Sequence, residues 1–115
     1  MKTIWERQSG RDERVGFYLE NDKVLFEYSR PFDTNTWEWS YAKGCFPRNE
    51  FEECIESLEH TAASEVTGTH GETLKLSVSP SRILSLELWA GLTGNVVISD
   101  LGIGPSRLRI HRDER

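Results

Sequence analysis

The sequence has few cysteines, few prolines and no long apolar run. There are two cysteines, four prolines and one methionine among 115 residues, and no apolar stretch approaches the ~18 residues that a membrane-spanning helix needs. The first seven residues include three charged side chains and no apolar stretch of the length found in a signal peptide. Cys45 and Cys54 are better explained as free thiols in a reducing compartment than as a disulfide. These shortages predict one cytoplasmic domain, residues 1–115, without a membrane segment.

Motifs for catalysis and for metal binding are also missing. The three histidines and two cysteines show none of the spacings used by zinc sites, and no serine lies in a nucleophile elbow. His70 and Glu72 could each supply a metal ligand, but short polar loops often carry such a pair by chance. Gly102–Pro105 is glycine-rich, yet it lacks the third glycine and the helix of a phosphate-binding loop. We therefore predict no catalytic residue, no metal, no cofactor and no enzymatic activity.

Negative charge is concentrated in one segment. The formal net charge of the chain is -5, and residues 47–65 alone account for it, because they hold six acids and one base, Arg48. The six acids are Glu50, Glu52, Glu53, Glu56, Glu59 and Glu65. A pI near 5.2 argues against nonspecific nucleic-acid binding. The basic tail holds Arg107, Arg109 and Arg112, which we assign to a solvated edge strand.

The first half of the sequence has the patterns of β-strands. Apolar runs and alternation predict strands over 3–8, 15–20, 23–28 and 36–43, with a tight hairpin at Asn21–Asp22. Residues 30–35 and 44–47 have the composition of loops. The alternation of the fourth strand places Trp37, Trp39 and Tyr41 on one face.

One amphipathic helix is predicted near residues 47–62. Pro47 suits a helix start, and Asn49 is a candidate N-cap with Glu52 three residues later. The apolar stripe is formed by Phe51, Cys54, Ile55, Leu58 and Ala62. After the helix, a loop or short strand is predicted at 63–70, a turn at 91–94, and strands at 74–78, 83–89, 95–99 and 108–110. The expected fold class is α+β: mostly antiparallel sheet of about seven to eight strands, in two layers built from hairpins, with one helix packed on one layer.

The acidic residues of the helix are the candidate partner-binding residues. Glu52, Glu53, Glu56 and Glu59 occupy faces that the apolar stripe leaves free. Asp33 lies in the polar loop before the fourth strand and Trp37 near the start of that strand; both are candidates for the rim or the anchor of the interface. A concentrated negative face on an otherwise balanced chain favours a cationic partner. Solubility is the simpler alternative explanation for such a face.

Three short motifs resemble a bacterial family. They are Phe32-Asp33-Thr34-Asn35-Thr36-Trp37, the helix Asn49–Leu58 with its Glu-Phe start, and the turn Thr93-Gly94-Asn95-Val96. Together with the order of the strands, they resemble the immunity proteins of wall-associated and polymorphic toxins, the WapI-like group, over residues 30 to 110. The resemblance implies a small cytosolic protein that binds a cognate toxin domain, often a nuclease, and blocks it.

The leading hypothesis is therefore a small acidic immunity protein that occludes the active surface of a basic protein partner. Two alternatives stay open. The same acidic surface would suit a phage-encoded inhibitor of a host defence or regulatory complex. A small-ligand-binding or enzymatic domain would instead have a pocket under the helix, built from Trp37, Trp39, Tyr41 and Cys45.

Overall fold

The computed structural model describes residues 1–9, 13–33, 38–90 and 95–110. Within these residues the chain forms two four-stranded antiparallel sheets, one α-helix and a short 3₁₀ helix. The first sheet holds β1 (Lys2–Ser9), β2 (Glu13–Glu20), β3 (Lys23–Asp33) and β4 (Glu38–Pro47). After α1 (Arg48–Ser57), the second sheet holds β5 (Ala63–Thr67), β6 (Thr73–Val78), β7 (Leu84–Trp89) and β8 (Asn95–Ile98). The predicted α+β class, with mostly antiparallel strands and one helix, is confirmed.

Each sheet is a meander, because its strands pair in chain order. Alternation along the strands turns one side of each sheet inward, as the sequence pattern predicts. Buried side chains of both sheets belong to a single apolar cluster, so the two sheets face each other across one core. The largest fully buried side chains are Phe17, Phe26, Phe46, Phe51, Ile55, Leu58, Leu74, Leu76, Leu84, Leu86, Leu88 and Leu101.

The helix α1 closes the side of the sandwich where β4 and β5 lie. It packs against β5, β4 and β3, and the ring of Phe51 lies 5.5 Å from that of Phe17 in the first sheet. Phe51, Cys54 and Ile55 are buried in the helix, and Leu58 is buried just after it. The underside of α1 is therefore filled by its own apolar stripe. No helix in the described part of the chain has the length and apolar character to cross a bilayer.

A polar contact of β1 also joins the two sheets. Arg7 donates from its guanidinium to the backbone carbonyl of Asp100, 3.0 Å away, after β8. The 3₁₀ helix Pro105–Leu108 packs against both β1 and α1 and buries Leu108. The C-terminal part of the described chain thus fastens the first strand to the last one.

The helix is shorter than predicted, and its cap is different. It begins after Pro47, which lies at the N-cap position without a side-chain hydrogen bond, so the expected cap at Asn49 is wrong. It ends at Ser57 rather than near residue 62, because the N–H groups of Leu58, Glu59 and His60 bond to carbonyls three residues back and form tight turns. Arg82 also donates from its guanidinium to the Leu58 carbonyl at 2.9 Å. These contacts satisfy carbonyl groups that a longer helix would have used.

Two predicted loops are largely strand. Residues 30–33 belong to β3, with an irregular register before Asp33, and residues 44–47 belong to β4. The pairing of Phe46 with Val24 buries both side chains completely, which favours strand over the predicted break. Sequence composition carries no sign of this long-range pairing.

The predicted strand at 108–110 is wrong. Pro105 lacks a backbone N–H and opens a 3₁₀ helix in place of a ladder. The structure still has eight strands, because residues 63–67, predicted as a loop or short strand, form β5. The hairpin at Asn21–Asp22 is confirmed, and Asn21 adopts a φ of 56°. The predicted turn at 91–94 and Arg112 lie outside the described residues.

Candidate partner-binding surface

The carboxylates of α1 point away from the core, because the apolar stripe turns inward. Glu50, Glu53 and Glu56 are exposed, Glu52 is half-buried, and Glu59 is exposed just after the helix. We call Glu50, Glu53 and Glu56 the helix carboxylates. Glu53 lies one helical turn from each of the other two, so three like charges follow one another along the solvent side of α1.

Two of the four predicted helical acids are paired within the chain. Arg48 Nε lies 3.4 Å from Glu52 Oε1, one turn along the same helix, and Glu59 forms an ion pair with Arg109. Glu52 and Glu59 are therefore each engaged by an arginine of the chain, and their role in partner binding stays a prediction. Within the described residues, no cation lies within 4.0 Å of Glu53 or Glu56. The charge available to a partner is thus centred on these two residues.

A shallow groove of about 350 Å³ lies between α1 and β5. Glu50 and Glu53 line it from the helix, and Glu65 lines it from β5. Glu65 is exposed and faces Lys75 of β6 across the ladder. The charge count of the sequence included Glu65, but only the pairing of β5 with β6 places it beside the helix.

Cys54 forms part of the groove wall but is not a nucleophile. Burial raises the pKa of the Cys54 thiol; a hydrogen bond with Ser64 opposes this effect, and the nearby charge of Glu65 adds to it. A thiol with a raised pKa stays protonated at neutral pH, where only the thiolate would attack. Cys54 therefore acts as a small apolar side chain of the core. Both cysteines are free thiols.

The structure does not bring the other predicted residues to this groove. Asp33 ends β3, where its backbone pairs with Glu38, and its side chain lies outside the described part of the structure. Trp37 and the side chain of Trp39 also lie outside it. Their predicted role as rim or anchor stays a prediction.

A second group of polar contacts surrounds Glu72, which the sequence offered only as a chance metal ligand beside His70. This carboxylate is 7% exposed and follows the β5–β6 loop. Its Oε2 accepts a hydrogen bond from the Cys45 N–H at 2.9 Å, and its Oε1 accepts one from the His70 N–H at 2.8 Å. The Thr69 N–H in turn donates to the Cys45 carbonyl at 2.8 Å. Glu72 thereby fastens the first hairpin of the second sheet to the edge of the first.

The hydrogen bonds decide the charge state of Glu72. Burial alone would raise the pKa of this carboxyl, but the backbone N–H groups of Cys45, Glu72 and His70 together lower it, helped by the His70 imidazole. Glu72 is therefore ionised at neutral pH and acts only as a hydrogen-bond acceptor. The His70 side chain is 84% exposed, with its Nδ1 4.0 Å from Glu72 Oε2.

Glu72 also borders a groove of about 410 Å³ beside β4. Tyr41 and Cys45 line this groove, as do Lys43 and His70. Two residues of the hypothetical ligand pocket therefore share a cavity, but it lies at the sheet edge and not under the helix. Within the described residues, no three His, Cys, Asp or Glu side chains are arranged to hold a metal ion.

Comparison with other proteins adds no functional information. Neither a protein-family model, nor a curated protein, nor a solved structure matches the chain.

Proposed function

We propose that this chain is a small cytoplasmic binding protein that neutralises a basic protein partner by covering its active surface, as the immunity proteins it resembles do. The observation that supports this proposal is the exposure of Glu53 and Glu56 on α1 without a cation of the chain in ion-pair distance. Glu50 and Glu65 extend the same negative region across the groove beside the helix.

The electrostatics of this region suit rapid and selective association. Complementary charge speeds the encounter of two proteins and disfavours partners of the wrong sign. A nuclease toxin is one partner class with the required chemistry, because its substrate-binding surface must attract phosphates. The rest of the chain balances its acids and bases, so a partner would be steered towards α1 rather than towards the molecule as a whole.

A toxin domain and a host defence complex would both bind the same carboxylates of α1, so the proposed surface is the same for either partner. The alternative of a ligand pocket under the helix is not supported by any specific observation. Phe51, Ile55 and Leu58 fill that side of α1, each with at most 2% of its surface exposed. The proposed mechanism is occlusion, and it requires no reaction by this chain.

The test is charge reversal at the helix carboxylates. The partner is first isolated from the source cell on the immobilised wild-type chain at low and at high salt. Its affinity is then measured for Glu53→Lys with Glu56→Lys and for a matched control, Glu6→Lys with Glu20→Lys. Both control residues are exposed and lie in the first sheet.

We expect the helix variant to lose at least about tenfold in affinity at low salt, chiefly through a slower association rate. The control variant carries the same net charge and should lose much less. Equal losses in the two variants would show that only overall charge matters. Unchanged affinity in the helix variant would exclude the proposed surface.

A further inference from the structure

The free edge of β4 offers a binding site of a different kind. In the register of β3 with β4, Gly44 lies opposite Phe26 and Cys45 opposite Leu25. The N–H and C=O groups of Cys45 both bond to the β5–β6 loop, on the side away from β3. Backbone groups alternate in direction along an antiparallel strand. The N–H and C=O groups of Lys43 and Tyr41 therefore also point away from β3.

The extra pairing stops at Cys45. Glu72 and Thr69 satisfy the outward groups of Cys45 much as a neighbouring strand would. In the described part of the chain, the outward backbone groups of Lys43 have no hydrogen-bond partner. Hydrogen bonding therefore continues beyond β4 at Cys45 and is left open at Lys43, the next residue whose backbone groups point outward.

The groove of about 410 Å³ runs along this open position. Its floor follows β4 from Tyr41 to Cys45, a distance of roughly 13 Å at about 3.3 Å per residue, and includes the facing residues 25–27 of β3. His70, Glu72 and Ala90 border it on the other side. A single extended segment of a few residues matches this length, and its backbone supplies the donor and acceptor that Lys43 lacks.

We propose that an extended segment of a partner protein pairs with Lys43 and adds to the first sheet as a fifth strand. The side chain opposite Lys43 would share the exposed face of the sheet with Lys43. The neighbour of Lys43 on the other side is Glu27 of β3, so an acidic residue in the added strand would place the ammonium group between two carboxylates. The two flanking side chains would point towards Ala42, which is 8% exposed, and should be apolar. Main-chain pairing would give affinity, and these alternating positions would give specificity.

A second copy of this chain is a poorer occupant than a partner segment. If β4 paired with itself about Lys43, two ammonium groups would lie directly opposite each other, which is destabilising. The site is also separate from the helix carboxylates, because no residue of α1 lines the groove. The inference therefore stands or falls independently of the proposed function.

The probe is the peptide acetyl-Thr-Val-Glu-Val-Thr-amide, titrated into ¹⁵N-labelled protein and followed by NMR. We expect saturable shifts centred on the Lys43 amide and slower hydrogen exchange there. Methylating the peptide nitrogen of the glutamate removes the donor to Lys43 and should weaken binding by about tenfold, the worth of roughly one strong backbone hydrogen bond. Methylating the first valine nitrogen, which would face away from β4, should change affinity by less than about threefold.

Two protein variants complete the test. Lys43→Pro removes the outward N–H without touching the ladder to β3, because proline is tolerated where the N–H of an edge strand faces solvent. Lys43→Gln keeps the N–H and removes the charge. We expect the proline variant to lose about tenfold in peptide affinity and the glutamine variant much less. Both variants should still unfold in a cooperative transition, which shows that they are folded.

Three results would overturn the inference. The first is no shift at Lys43 up to the solubility limit of the peptide. The second is equal binding of the two methylated peptides. The third is concentration-dependent dimerisation that protects the Lys43 amide without peptide, which would assign the edge to a second copy of the chain.

Discussion

Glu53 and Glu72 carry the same carboxylate in opposite settings. Glu53 projects from α1 into solvent, with no cation of the described chain in ion-pair distance. Glu72 is buried at the edge of β4 and accepts hydrogen bonds from the backbone of Cys45 and His70. The comparison shows that the residue in the most acidic segment is not the one whose carboxylate holds the fold together. The most acidic segment contributes charge to the surface, whereas a single acid in a polar loop joins the two sheets.

The largest effect that would test this contrast is expected for Glu72→Ala. The variant leaves the N–H groups of Cys45 and His70 without their charged acceptor, and we expect the free energy of unfolding to fall by about 3 kcal/mol. Glu72→Gln keeps one oxygen acceptor and should lose about half as much. Urea unfolding measures both. A loss below about 0.5 kcal/mol for Glu72→Ala would show that the carboxylate is not a structural contact.

A somewhat smaller loss is expected for Gly68→Ala. A Cβ at this position would lie 2.2 Å from Cδ of Glu72, so the carboxylate would have to leave its two donors. We expect a loss of about 2 kcal/mol, within the range for overpacking. In a Glu72→Ala background the same change should cost far less, because the obstructing side chain is gone. Additive losses in this double-mutant cycle would contradict the proposed clash.

Lowering the pH should reduce the difference in unfolding free energy between wild type and Glu72→Gln. The pKa of Glu72 is lower in the folded protein than its ordinary value of 4.5, since three backbone N–H groups outweigh the effect of burial. Its contribution is therefore complete above that ordinary value and is lost as pH falls through the lowered pKa. The difference in unfolding free energy should be constant near neutral pH and shrink in acid. A difference that grows in acid would reverse the assigned direction.

The sequence predicted those strands and the helix face that depend only on the spacing of neighbouring residues. Alternation in 23–28 and 74–78 gave two strands, and the spacing of Phe51, Ile55 and Leu58 gave the buried side of α1. The extension of β4 to Pro47 depends instead on pairing with β3. Composition alone made residues 44–47 a loop.

The site was less predictable than the fold, because its contacts join distant parts of the sequence. Cys45 and Glu72 are 27 residues apart, and the pairing of Glu59 with Arg109 links the helix to the residue after the 3₁₀ helix. Neither contact follows from a motif or a period. The glycine directly before Glu72 is a local hint of a fixed turn, and Gly71 does adopt a φ of 86° in the structure.

The smallest effect, and the sharpest contrast with Glu72, is expected for Glu53→Gln combined with Glu56→Gln. Each residue lies one turn from another acid, and like charges at this spacing destabilise a helix by a few tenths of a kcal/mol. We expect the double variant to be unchanged or more stable by up to about 0.5 kcal/mol, and to bind a basic partner more weakly. Thermal and urea unfolding at low and high salt measure the stability term, which should vanish as salt screens the repulsion. A loss of stability above about 1 kcal/mol would show that these carboxylates support the fold as Glu72 does, and that their exposure serves no separate purpose.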